Sequence, residues 1–144
     1  MTQDKNALAI LLFSELLAAD HAVRGSLTKV PPKGMEISHF SVLNVLACEG
    51  AESTPAKLAE RFNVTRGAMT NTLNKLQWAG YIHVRPDWDD ARRKIVQISP
   101  AGRQARDDAF AAITPTINKV VDDLGEEQAR AALPILRGIR KQLA

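Results

Sequence analysis

Residues 54–102 read TPAKLAERFNVTRGAMTNTLNKLQWAGYIHVRPDWDDARRKIVQISPAG, and the rest of the chain is interpreted from them. Thr54-Pro55 joins an N-cap residue to a proline at the first helical position, a strong helix start. The helix it opens carries Leu58 and Phe62 and is short, because a turn follows at Asn63-Val64. Thr65 opens a second helix with an expected buried stripe of Ala68, Met69, Thr72, Leu73 and Leu76, and Gly80 stops it. The period then changes from helical to alternating. Ile82 and Val84 alternate with His83 and Arg85, and Val96 and Ile98 with Ile95 and Gln97. Between these runs PDWDDARR is polar, charged and about as long as a hairpin tip. Ser99-Pro100 then repeats the cap-plus-proline signal.

Working outward, residues 5–23 predict a helix with Leu8, Leu12, Leu16 and Val23 at helical spacing. Gly25 to Gly34 reads as a loop, where Pro31-Pro32 excludes a continuing helix. Ser38 is the expected cap of a helix carrying Phe40, Leu43, Leu46 and Ala47 and ended by Gly50. Beyond Pro100, Phe110, Ile113, Ile117, Val120 and Leu124 form a seam of coiled-coil type, with a kink or break expected at Pro115. After Gly125, Glu126 to Leu143 predicts a last helix with Leu133, Leu136, Ile139 and Leu143 on one side, bent at Pro134. The fold class is mainly α with a small β-hairpin. The 144 residues form one domain: helices at 5–24 and 100–144 flank a lobe spanning 36–99.

The net charge of +3 is unevenly spread: residues 53–103 carry +5, residues 1–52 carry −2 and residues 104–144 sum to zero. Positive charge concentrated on the middle third suits a surface that meets phosphates. No uninterrupted run of about 18 apolar residues occurs, so no membrane partner is expected. Ser14, Glu15 and Asp20 break the apolar start, which argues against a signal peptide. The single cysteine, Cys48, forms no internal disulfide and fits a reducing cytoplasm.

Two short helices around a tight turn, followed by a basic hairpin, make the pattern of a winged helix-turn-helix that reads DNA. The outward residues of the second helix are Arg66, Gly67, Thr70, Asn71, Asn74 and Lys75. Asn pairs with adenine, Arg with guanine, and a Thr methyl touches the thymine methyl. Small Gly67 and Ala68 suit close approach of the helix N-terminus, where the dipole favours phosphate. At the hairpin tip Arg92, Arg93 and Lys94 suit a narrow, strongly negative minor groove. Asp87, Asp89 and Asp90 beside them are read as orienting the arginines or closing the turn. Trp88 is read as packed on the hairpin. The DNA-contacting set is Thr54, Thr65, Arg66, Gly67, Ala68, Thr70, Asn71, Asn74, Lys75, Arg92, Arg93 and Lys94, with Asp90 steadying the wing.

The chain resembles the MarR family of bacterial transcription regulators. The resemblance rests on Leu58-Ala59-Glu60-Arg61, Val64-Thr65-Arg66-Gly67-Ala68, Leu76, Gly80-Tyr81-Ile82 and Asp90-Ala91-Arg92 with Ile98-Ser99-Pro100-Ala101-Gly102. It implies a homodimer built from the first helix and the two C-terminal helices. It implies that Thr65–Lys75 enters the major groove and that Arg92 is the minor-groove arginine of the wing. It implies a repressor on a pseudo-palindromic operator, released by a small-molecule effector whose binding residues are unknown. Asn71 stands where members often carry a basic residue, which implies a less usual operator. An activator of the same fold, a winged-helix protein–protein module and a small-molecule carrier with a vestigial helix-turn-helix are the alternatives.

No GxSxG, HExxH or GxxxxGK[ST] motif occurs, so catalytic residues and cofactors are expected to be absent. A calcium loop over DWDDARRKIVQI fails, since its sixth and twelfth positions are Arg92 and Ile98. His21, His39 and His83 lack metal-ligand spacing and are assigned to the surface or a pocket rim. Cys48 closes VLNVLAC and is read as a buried, inert thiol.

Overall fold

The computed structural model describes residues 2–28, 31 and 35–144. Among the described residues, six helices and three short strands follow in the order α1 (Thr2–Leu27), α2 (Ile37–Cys48), β1 (Glu52–Ser53), α3 (Pro55–Arg61), α4 (Arg66–Trp78), β2 (Ile82–Pro86), β3 (Lys94–Ile98), α5 (Pro100–Leu124) and α6 (Glu126–Leu143). The chain divides into two units, residues 1–37 and 38–144. In the first unit α1 continues through Gly25 to Leu27, so the loop starts later than the composition of Gly25–Gly34 predicts. Of that stretch, Lys29, Val30 and Pro32–Gly34 lie outside the described residues. An 18-residue window of α1 has a mean hydropathy of 1.4, long and apolar enough to cross a bilayer on length and composition alone. Counting uninterrupted runs misses this, because Glu15 and Asp20 interrupt the run without lowering the average below that level. Leu8, Leu12 and Val23 of its apolar face are exposed, and Leu16 is half-buried.

The core of the second unit is formed by α2, α3, α4 and the sheet. Val42, Leu43, Leu46, Leu58, Leu76, Ile82 and Val96 are its most deeply buried side chains. Truncating any such leucine to alanine costs about 2–5 kcal/mol. Ser38 lies inside the first turn of α2 and not at its cap, since the helix begins at Ile37. His39 is buried, a correction to its assignment at the surface, while His21 and His83 are exposed. Cys48 is exposed and not buried: it is the last residue of α2, turned off the buried face, and its thiol donates to Asn44 Oδ1 at 3.6 Å.

The sheet is three-stranded and antiparallel, in the order β1-β3-β2. The hairpin registers Ile82 with Ile98 and Val84 with Val96, so the apolar alternation lands on one face. β1 adds Glu52 opposite Gln97 and Ser53 opposite Val96. A two-residue strand shows no periodicity of its own, and the sequence reading holds only the hairpin.

Two prolines sit inside unbroken helices, contrary to the break considered at Pro115: α5 runs 25 residues through Pro115, and α6 runs 18 through Pro134. Pro115 has no N–H to donate to the preceding turn. Next to it, Thr114 Oγ1 donates to Phe110 O at 2.6 Å. The apolar seams of these helices are largely uncovered. Ile117, Val120 and Leu124 of α5 are exposed, as are Leu133, Leu136 and Leu143 of α6.

Candidate nucleic-acid interface

The geometry of the interface starts at the turn between α3 and α4. Thr54 Oγ1 accepts from Lys57 N at 3.2 Å and Pro55 occupies the first position of α3. At the other end Asn63 takes φ 52°, a left-handed value that asparagine tolerates, and Val64 N donates to Ala59 O at 3.0 Å. Thr65 then caps α4, its Oγ1 accepting from Ala68 N at 3.1 Å. Two short-range caps and one left-handed residue therefore set the angle between the helices.

Met69, Leu73 and Leu76 are the buried residues of α4. Ala68 and Thr72 differ from the expected stripe: Ala68 is exposed and Thr72 half-buried, because the helix meets the core along a narrow strip. Thr65, Arg66, Gly67, Ala68, Thr70, Asn71, Asn74 and Lys75 are all exposed. The hydroxyl of Thr70 donates to Arg66 O at 2.8 Å, which turns its methyl to the outer surface as the available group. At Gly67 an added Cβ would meet only Thr65 Oγ1, at 4.0 Å, so the protein's own packing does not call for glycine there. Thr54 differs from the rest of the set. It is 7% exposed and its oxygen is engaged in the cap, so it supports the interface from beneath and presents no group to a phosphate.

α4 ends at Trp78, and beyond its C-cap Ala79 comes Gly80 at φ 80°, with Tyr81 N donating to Leu76 O at 2.9 Å. The next residues are clamped to the start of α5. Ser99 Oγ donates to Gly80 O at 2.6 Å while accepting from Gly102 N at 2.9 Å, and Ser99 N donates to Tyr81 O at 3.0 Å. A Cβ on Gly102 would lie 2.0 Å from Tyr81 O, so only glycine fits. The Ser-Pro-Ala-Gly run thus locks the exit of α4 to the exit of the hairpin, and this fixes the wing relative to the helix.

The hairpin tip is closed by its aspartates. Asp90 Oδ1 accepts from Arg92 N at 3.1 Å and lies 3.4 Å from Arg92 Nε. Asp87 Oδ1 accepts from Asp89 N at 3.0 Å, and Asp87 N donates to Arg93 O at 2.9 Å. The carboxylates therefore both close the turn and orient its arginines. Arg92 projects outward from its ion pair with Asp90, its side chain 92% exposed, and Arg93 and Lys94 are exposed beside it. Trp88 is not packed on the hairpin as expected: it is exposed, with the Arg85 guanidinium 4.2 Å from its ring centroid. Arg85 Nη2 also donates to Glu52 Oε2 at 3.3 Å. Glu52 and Arg85 are 33 residues apart, and no local signal announces their pairing. Among the described residues no group of His, Cys, Asp and Glu is placed to hold a metal ion.

A helix with a polar exposed face, capped by threonine and joined rigidly to a wing with basic residues at its tip, is a DNA-reading arrangement. The sequence profile described as the MarR family matches residues 33–93. The uncharacterized HTH-type transcriptional regulator YdgG of Bacillus subtilis is 29% identical over 138 residues, which cover 94% of this chain and 90% of that protein. The chain is similar to the MarR family across its helix-turn-helix and wing. It is a DNA-binding transcriptional regulator. Its fold is shared by the crystal structure of a mutant MarR from E. coli complexed with operator DNA. That match has a TM-score of 0.73 at 19% identity and covers 91% of this chain and 95% of the other. An organohalide-sensing RdhR regulator in its 2,4-dichlorophenol-bound form shares the fold at a TM-score of 0.77 and 19% identity, covering 94% of this chain and 80% of the other.

Proposed function

We propose that this regulator acts as a homodimeric repressor on a pseudo-palindromic operator and is released by a small-molecule effector. The observation that carries the DNA part is the common exposure of Thr65, Arg66, Gly67, Ala68, Thr70, Asn71, Asn74 and Lys75 along α4, beside Arg92, Arg93 and Lys94 of the wing. In this reading α4 enters the major groove, Arg92 enters the adjacent minor groove and Asp90 holds it there. The dimer part is supported by the uncovered seams of α5 and α6 and by the exposed leucines of α1. Apolar faces on three helices are an association surface, and a second copy of the chain covers them. The effector part is supported by the ligand-bound state of the RdhR neighbour. Such a ligand weakens DNA binding by the ratio of its affinities for the two dimer states.

Binding to a duplex enriched from a random library on the purified protein, followed by anisotropy at increasing salt, tests this reading. If the dimer neutralises about eight phosphates, log K falls against log salt with a slope near −7. Arg92→Ala weakens binding several-fold and shallows the slope by about one per half-site. Binding that is absent or indifferent to salt refutes the proposal. A thermal-shift panel of small aromatic acids tests the effector, and no response across the panel refutes ligand release.

A further inference from the structure

Trp88 is 85% exposed, an unusual state for an indole, yet it is not loose. One face of its ring lies over the Arg85 guanidinium at 4.2 Å. Arg85 is itself held, pairing with Glu52 of β1 at 3.3 Å and donating from Nη1 to Pro86 O at 3.3 Å. The charge of Arg85 is thus engaged with a carboxylate, while the ring above it is left open to solvent. Trp88 lies between Asp87, whose carboxylate accepts from Asp89 N, and Asp89, four positions before the projecting Arg92.

We propose that Trp88 is an apolar contact of the wing with the deoxyribose wall of DNA, and that Arg85 is the positioning residue that holds it there. The inference rests on the reading of the wing as a DNA contact. A minor groove about 6 Å wide admits a guanidinium but not an indole, so Trp88 lies on its rim. There the C–H surface of the sugars meets the ring, and Arg92, Arg93 and Lys94 draw in the flanking phosphates. An indole has two rotatable side-chain bonds, and the stacked arginine restricts them further, so little entropy is lost on contact. A sugar contact reads no base, so it adds affinity at every sequence alike.

The test uses the full-length protein with Trp78→Phe, which leaves Trp88 as the only tryptophan. The probe is a labelled duplex of about 30 base pairs enriched from a random library, long enough for two half-sites. Saturating DNA, monitored by anisotropy, is expected to lower acrylamide quenching of Trp88 at least about two-fold as the open face is covered. Trp88→Ala weakens binding about three- to ten-fold with the salt slope unchanged, because no phosphate-neutralising charge is removed. Arg85→Gln gives a similar loss with the same unchanged slope, and the double variant loses no more than either single one. Trp88 quenching that is unaltered while DNA is bound overturns the contact. A slope shallower by about one per half-site in Arg85→Gln overturns the positioning role, because Arg85 then meets phosphate itself. No binding by the wild-type protein overturns the DNA reading and this inference together.

Discussion

Replacing Gly67 by alanine separates what α4 needs to fold from what it needs to meet DNA. Gly67 is the second residue of α4, it is exposed, and a Cβ there comes no nearer than 4.0 Å to any protein atom outside its own turn. Alanine therefore fits without strain and removes the entropic cost of a helical glycine, a gain of about 0.5–1 kcal/mol. For a chain of this size that raises Tm by about 1–4 °C. On DNA the effect has the opposite sign. The new methyl projects from the face by which the N-terminus of α4 approaches the bases. A loss of about 1 kcal/mol at each half-site, roughly five-fold, compounds to about 25-fold for a dimer engaging both. Circular dichroism melting and DNA anisotropy on the same preparations measure the two effects. A raised Tm with undiminished DNA affinity refutes close approach of α4, and a lowered Tm refutes the account of open space around Gly67.

Gly102→Ala drives a Cβ into Tyr81 O, 2.0 Å away, and disturbs the Ser99 clamp. Overpacking together with a weakened hydrogen bond costs about 2–4 kcal/mol, read as a lower denaturation midpoint, and an unchanged midpoint contradicts the clamp. Asn71→Ala relaxes base preference by about 1–3 kcal/mol at one position of each half-site, measured by repeating the library selection. Retention of the wild-type preference excludes Asn71 from base reading. Leu136→Asp, at a side chain already exposed within one chain, leaves helix content intact but shifts the mass measured by light scattering from dimer to monomer. A variant that stays dimeric removes Leu136 from the dimer face.

The local devices of this fold are plain in the residues. Thr54, Thr65 and Ser99 cap helices as their spacing predicts, because a cap is made within three residues and needs nothing distant. The change of period at Ile82 marks the hairpin, and its register follows from which alternate residues are apolar. The polar exposed face of α4 was legible for the same reason: one stripe of Met69, Leu73 and Leu76 turns the others outward. Eleven of the twelve expected contact residues lie on the surface, eight along α4 and its cap and three at the wing tip, with Thr54 buried beneath.

The remaining features depend on partners far apart in the chain. Strand β1 exists because Glu52 and Ser53 pair with β3, more than forty positions away in register. Gly102 is required because Tyr81 O passes it, and Trp88 stands out because Arg85 is held by Glu52. Cys48 leaves the core because of the direction in which the last turn of α2 faces, which its apolar neighbours do not reveal. A kink or break is expected at Pro115 and a bend at Pro134, and both helices run through their prolines without a break. Sequence alone determined the caps at Thr54, Thr65 and Ser99 and the alternation of the hairpin, since these are written in short-range spacing. Tertiary structure decided which surface is open and how rigidly the wing is joined to α4, because burial and clamping arise only where distant segments meet.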